Sequence, residues 1–306
     1  MTTSNRDHSL FSIGPKIKIG LLAIVFAGLY YFMTGSSDYI GSTNTYKDEE
    51  EIYSEGQNGE NNSSTKDYLP TSTTNQIIKH QFYTMSYSEE HEQPEWVAYE
   101  LKREQFQRKG VGRSDNFRPD PKVKTKSASP SDYKRSGYDR GHLVPAGDMN
   151  FDKRAMSETF YMSNMSPQIR NFNGGIWREL EENTRDWAKK YKHLYVVSGP
   201  VLTVSTIDEI GRNQVSVPRT YFKVLLDLTP PETKAIGFIM DNKVSDKHLS
   251  NFAVTVDEVE TLTGIDFFHN LLSPEEEERL ESQTEVGRWK FSDKRFRQRV
   301  KSWNKR

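Results

Sequence analysis

Apolar positions divide the chain into segments of different character. Ile19 to Met33 reads IGLLAIVFAGLYYFM and holds no charged residue. It has no polar face, so it does not read as an amphipathic helix packed on a core. At about 1.5 Å per residue it spans about 22 Å, short of the ~30 Å hydrocarbon core of a bilayer, and Ile17 and a snorkelling Lys18 extend it. We read 17–35 as a transmembrane anchor. Lys16 and Lys18 precede the run and Asp38 is the first acid after it. That asymmetry places 1–16 in the cytoplasm and the rest of the chain outside. Thr34 to Ser37 are small, but no A-x-A cleavage pattern accompanies them, which favours retention of the anchor.

From Ser36 to Asn75 aliphatic residues almost vanish, and eight acids stand against Lys47 and Lys66. Such a stretch buries too little surface to offset chain entropy, so 36–75 is expected to be a disordered acidic linker. Alternation then begins. His80–Ser86 and Trp96–Leu101 predict strands. Residues 108–134 carry Gly, Pro, Asp and Ser and read as loop. Gly174 to Tyr191 has helical spacing, with Ile176, Leu180, Trp187 and Tyr191 on or near one face. The apolar runs Leu194–Val201, Tyr221–Leu228 and Ala235–Met240 have strand length. Thr255 with Glu258 three residues on is a capping box that opens a helix to Thr263. The pattern predicts one α+β domain over 76–290, followed by a basic C-terminal tail, 291–306.

Composition narrows the chemistry. There is no cysteine among the 306 residues, which excludes disulfides, thiol nucleophiles and cysteine-based zinc sites. The formal net charge is −1, so global charge announces no polyanionic partner. Its distribution says more: with the linker acidic, the chain beyond Asn75 is mildly basic. Arg288 to Arg306 holds nine Lys/Arg and one Asp, interleaved with Trp289, Phe291, Phe296 and Trp303. That mixture suits single-stranded nucleic acid, and equally a solvated terminal helix.

Two segments carry candidate chemistry. The first is Ser136 to Met149, SGYDRGHLVPAGDM. Arg140 can bind phosphate bidentately, His142 can take a proton from water near neutral pH, and Gly141 permits close backbone approach. A lone histidine is more often a satisfied loop or core residue. The second segment, Thr159 to Trp187, adds Asn164, Asn173 and Glu181. Asn173 could cap the helix that starts at Gly174, or its amide oxygen could bind a hard cation. Glu181 lies a little over two turns further, on roughly the same face, where a carboxylate can orient water near such an ion.

Taken together these residues resemble the DNA/RNA non-specific endonuclease family, the endonuclease G-like ββα-metal nucleases. The likeness rests on Tyr138-Asp139-Arg140-Gly141-His142-Leu143, on Tyr161-Met162-Ser163-Asn164 with Pro167-Gln168, and on Asn173, Trp177 and Leu180-Glu181. It continues through Val197-Ser198-Gly199-Pro200, Val217-Pro218, Tyr221-Phe222-Lys223-Val224 and Phe252 to Glu260. It runs from about Gln81 to Phe268 in family order. The resemblance implies a ββα-metal nuclease fold, a central antiparallel sheet flanked by helices. It implies hydrolysis of DNA and RNA to 5′-phosphate ends, with magnesium as cofactor and manganese as a substitute. His142 would be the general base, Asn173 the direct metal ligand, Glu181 the holder of a water at the metal, Arg140 a phosphate contact and Asn164 a support by hydrogen bonding. In the family an upstream arginine precedes an Asn/Asp–aromatic pair. Here that region reads Arg113-Ser114-Asp115-Asn116-Phe117-Arg118-Pro119-Asp120, so Arg113 is the candidate second phosphate contact and Arg118 the alternative. Homodimerisation is common in the family, so a second copy of the chain is a candidate partner.

The anchor then implies a nuclease held outside the cytoplasm, in a bacterial envelope by preference or at the mitochondrial inner membrane. Two other readings stay open: a catalytically inactive nucleic-acid-binding protein, and a phosphodiesterase acting on small nucleotides.

Overall fold

Short runs of β-branched and aromatic residues build the centre of the protein. The computed structural model describes residues 67–305. In chain order its strands and helices are β1 (Ile77–Lys79), β2 (Thr84–Ser88), β3 (Gln93–Lys102), α1 (Pro130–Tyr133), β4 (Asp139–His142), α2 (Lys153–Glu158), β5 (Met165–Gln168), α3 (Arg178–Tyr191), β6 (His193–Pro200), β7 (Asp208–Ile210), β8 (Val215–Val217), β9 (Thr220–Asp227), β10 (Lys234–Asp241), β11 (Ala253–Val254), α4 (Val256–Thr263), α5 (Pro274–Glu281) and α6 (Asp293–Lys301). A π-helical turn, Phe172–Trp177, leads into α3. The expected cytoplasmic segment 1–16, anchor 17–35 and most of the linker lie outside the described residues. Among the described residues no helix is long and apolar enough to cross a membrane.

Seven strands form one sheet in the order β1-β2-β3-β6-β9-β10-β11, every pairing antiparallel. The pairs β4–β5 and β7–β8 stand apart from it. Side chains alternate across the sheet. Val97, Tyr99, Leu194, Val196, Tyr221 and Leu225 share one core with Trp177, Leu180 and Trp187 of the π turn and α3. Trp96, Ala98, Val197, Phe222, Val224 and Leu226 face the other way, onto Val256, Val259 and Leu280 of α4 and α5. Both faces are covered, so β6, β9 and β10 read in sequence as continuous apolar runs rather than as alternation. The expected capping box is present: Thr255 Oγ1 accepts from the Glu258 N–H at 3.0 Å and Glu258 Oε2 from the Thr255 N–H at 2.8 Å.

Three expectations change. His80–Ser86 is not one strand: the His80 N–H bonds the Tyr83 carbonyl at 2.9 Å, turning the chain, and β2 starts at Thr84. His80 is held there by Asp120 at 2.8 Å, a partner far away in sequence. Residues 67–75, assigned to the linker, pack onto the sheet. Tyr68 and Leu69 join the second core, the Trp96 indole N–H donates to the Thr71 carbonyl at 2.8 Å, and the Thr73 N–H reaches Glu95 at 3.0 Å. The C-terminal residues are not a loose tail. Arg299 in α6 is fully buried against Glu179 of α3, Trp303 is buried, and Arg295 Nε donates to Glu182 at 2.9 Å. Two basic residues of this segment, Arg295 and Arg299, are spent on the acids of α3, which sequence spacing does not reveal.

Candidate active site

The site is built outward from β4. Its register with β5 is Arg140↔Pro167, Gly141↔Ser166, His142↔Met165. A side chain at position 141 would put its Cβ 2.2 Å from the buried Gln168 side chain. Glycine is therefore what lets the two strands close. Alternation sends Arg140 and His142 to the same side. Beyond the strand the chain is tied down residue by residue. The Leu143 N–H bonds the Asn164 carbonyl at 3.1 Å and Ser198 Oγ donates to the Leu143 carbonyl at 2.9 Å. Asn164 Oδ1 accepts from the Val144 N–H at 2.9 Å, and its Nδ2 donates to the Val144 and Thr159 carbonyls at 3.0 and 2.9 Å. Asn164 is completely buried. Its amide is wholly spent on backbone, so it supports β4 from behind and does not face the cavity.

His142 is half-buried, edge-on to Phe160 at 5.0 Å and Phe117 at 5.8 Å. Its Nε2 is buried and has no hydrogen-bond partner. Burial first, and then the Arg113 guanidinium, lower its pKa to about 3, against a backbone hydrogen bond to Arg140 that favours the charged ring. At neutral pH the imidazole is neutral. With its other nitrogen engaged by backbone, the lone pair sits on Nε2.

Asn173 lies inside the π turn, not at a helix start as an N-cap. Its N–H continues the helical bonding to the Ile169 carbonyl at 2.9 Å, and its side chain caps nothing. Instead Nδ2 donates to Asp139 Oδ2 at 3.1 Å, which leaves the amide oxygen as the free end. A kink at Gly175 (φ −106°, ψ −109°) lies inside this turn, between Asn173 and the start of α3. Glu181 enters the same cavity from α3. Burial raises its pKa, opposed chiefly by Arg185 and supported by Asp148.

Behind Glu181 lies a layer of charge that sequence reasoning missed. Asp148 accepts from Arg185 Nη1 and from the Tyr99 hydroxyl, both at 2.7 Å. Lys223 is fully buried, 5.0 Å from the Trp177 ring, and its ammonium makes no hydrogen bond. Desolvation lowers its pKa, and the nearby charges of Glu181 and Asp148 oppose that. The available signal was a lone lysine inside the apolar run YFKVLLDL.

The arginines complete the walls. Arg140 stacks over Phe117 at 3.9 Å and Arg113 over Phe160 at 4.8 Å, Arg113 also pairing with Asp115 at 2.7 Å. Both line a cavity of 380 Å³ that also takes in His142, Asn173, Glu181 and Arg178. Both also line a neighbouring cavity of 650 Å³ with Lys134, Arg135 and Arg170. Arg118 lines neither. Its guanidinium is held by the Asn116 and Ser157 carbonyls at 3.0 Å and lies over Tyr161. Geometry thus brings Arg113, and not Arg118, to His142. The paired cavities present hard oxygens, a neutral imidazole and several guanidinium groups, a lining suited to a phosphate diester. A third cavity of 420 Å³, lined by Glu89, Glu90 and Glu95 with Lys124, shares no residue with these two; its acids repel phosphate.

Known proteins resemble this chain in sequence and in fold. A family model described as DNA/RNA non-specific endonuclease matches residues 60–273. The mitochondrial nuclease EXOG of Danio rerio is 36% identical over 205 residues, 61% of this chain and 60% of that protein. The chain thus spans about three-fifths of that relative's length. Mitochondrial endonuclease G of Homo sapiens is 31% identical over 211 residues, 65% of this chain and 71% of that protein. A crystal structure of the EndoG/EndoGI complex, described as giving the mechanism of EndoG inhibition, superposes with a TM-score of 0.61 at 31% identity, over 65% of this chain and 88% of that one.

Proposed function

Because the chain belongs to the DNA/RNA non-specific endonuclease family, we propose that it hydrolyses phosphodiester bonds of DNA and RNA at the His142 cavity, leaving 5′-phosphate ends. One observation carries this reading. The buried Nε2 of His142 has no protein partner, and it stands in a cavity that Arg113, Arg140 and Asn173 also line. A neutral imidazole with a free lone pair is the base this reaction needs. His142 Nε2 takes a proton from the attacking water. The water oxygen bonds to phosphorus as the bond from phosphorus to the 3′ oxygen breaks, and that oxygen takes a proton from solvent. Arg140 and Arg113 hold the non-bridging phosphate oxygens and stabilise the charge they gain. Asn164 acts through the backbone, keeping β4 in place. Phosphate contacts carry no base information, so little sequence preference is expected.

The donor set fits a divalent cation. Asn173 offers an amide oxygen whose nitrogen end is fixed by Asp139, and Glu181 offers a carboxylate in the same cavity; hard oxygens suit magnesium, and manganese in its place. Asn173 would hold the ion and Glu181 would orient a water beside it. Bound there, the ion would act as a Lewis acid on the phosphate. The reading includes export, with the apolar run at 17–35 holding the catalytic unit outside the cytoplasm, and pairing of two copies.

The test uses the full-length chain with circular plasmid and with single-stranded RNA, in magnesium or in EDTA, beside His142→Ala. Degradation of both substrates only with metal is expected, with the variant slower by at least about a hundredfold. Binding without any turnover would replace the reading by a nucleic-acid-binding protein. Cleavage of a dinucleotide alone would replace it by a small-nucleotide phosphodiesterase.

A further inference from the structure

On the face of the sheet opposite α3, the helices α4 and α5 bring three carboxylates together. We infer that Asp257, Glu260 and Glu281 form a calcium site, separate from the active site, that clamps α5 to α4. Each residue offers one oxygen, and the three oxygens lie within 4.8 Å of one another. Crowded acids on a surface prove nothing by themselves. Glu281 is different. It is 1% exposed, and its Oε1 is buried without a hydrogen-bond partner. A carboxylate taken out of water normally faces a guanidinium, an ammonium or backbone N–H groups. The charges that act most on Glu281 are Glu260, Glu277, Asp257 and Asp266, every one a carboxylate.

The surroundings leave room for a cation. Glu260 Oε1 accepts from the Phe267 N–H at 2.8 Å, which fixes that carboxylate. Gly264, at φ +71°, turns the chain after α4 and brings Asp266 and Phe267 back over the cluster. Asp257 is exposed, so waters can complete the shell. His269 stands 3.9 Å from Asp266, and its charge acts on Glu277. Without an ion, burial and mutual repulsion push Glu281 up to about 9 and Glu260 up to about 7. Calcium binds six to eight oxygens at about 2.3–2.6 Å, so ligands on opposite sides of one ion stand about 5 Å apart. The observed spacing needs no collapse to reach it. Magnesium at about 2.0–2.1 Å would need a tighter, octahedral set.

The experiment uses the full-length Asn173→Ala variant, which lacks the amide proposed to hold the catalytic ion. It is titrated with calcium chloride at neutral pH, by calorimetry and by thermal melts, beside the double variant Asn173→Ala/Glu281→Gln. Glutamine keeps the shape and removes a buried charge, so the fold should survive. The expected result is one calcium ion per chain in the parent, with a Tm that rises with calcium. In the double variant affinity should fall by at least about tenfold and the calcium-dependent rise should vanish. No binding in the parent, or equal binding in both, would overturn the proposal. So would a calcium-insensitive parent that melts below the double variant, which would mark the cluster as protonated instead. Glu281→Gln alone should degrade plasmid in magnesium at the wild-type rate, and a loss there would overturn the separateness of the site.

Discussion

Asn173 donates its amide Nδ2 to Asp139 Oδ2 at 3.1 Å, across 34 positions of sequence. The first residue of β4 thereby decides which end of that amide is free. Asparagine at position 139 can donate as well as accept, so the choice would be lost. Asp139→Asn should raise the magnesium concentration for half-maximal cleavage by about 10- to 100-fold, while the rate at saturating magnesium changes much less. A magnesium titration of plasmid nicking measures it, and an unchanged half-saturation would mean that Asp139 does not aim the ligand.

His142 must be neutral to accept a proton, so activity fails below its pKa. Burial is the largest cause of its lowered pKa and the Arg113 charge the next. Arg113→Ala removes the second cause. The acid limb of the kcat/KM profile should move to higher pH, on top of a general loss from the missing phosphate contact. Stability obeys the same logic. Between the ordinary 6.5 and the lowered value of about 3 the unfolded chain binds the proton that folded His142 refuses. The folded state therefore loses stability as pH falls through that window, and His142→Gln should flatten the slope in denaturant titrations at successive pH values.

Lys223 is buried without a hydrogen bond beside Glu181 and Asp148. An unpaired buried ammonium costs stability, while its charge holds Glu181 closer to ionised. Lys223→Met removes a buried ammonium that makes no hydrogen bond and should stabilise the fold by about 1–3 kcal/mol in urea unfolding and lower turnover at neutral pH. Lower stability with unchanged turnover would count against the role given to this charge.

Arg299 and Glu179 are both essentially unexposed and pair across α6 and α3. Arg299 also donates to the Lys247 carbonyl at 2.6 Å. Arg299→Met leaves Glu179 buried without its partner and should cost about 3–5 kcal/mol. Arg299→Met/Glu179→Leu should recover most of that. Chemical denaturation of the three proteins checks both.

Strands β6, β9 and β10 were legible as continuous apolar runs of strand length, α3 by its helical spacing and α4 by its capping box. The turn at His80 was not, because alternation continues through it and only the distant Asp120 explains it. Residues 67–75 look like linker by composition, yet Trp96 and Glu95 supply the partners that order them. The C-terminal stretch reads as basic and free, yet two of its charges are held on α3, Arg299 by Glu179 and Arg295 by Glu182 and Asp186.

For the candidate site the division is similar. Residue types and spacing made Arg140, His142, Asn173 and Glu181 candidates for phosphate, proton and hard-cation chemistry, and the family resemblance gave them their roles. Sequence left Arg113 as the candidate and Arg118 as the alternative, and folding separates them: Phe160 and the cavity take one guanidinium, while Ser157 and Tyr161 take the other. It also hid Asp148 and Lys223, whose weight comes from burial beside Glu181. Local order depends on each residue's neighbours along the chain, so sequence determined it. Which charges lose their water, and which partners they then meet, depends on contacts between distant segments, and the tertiary structure alone decided that.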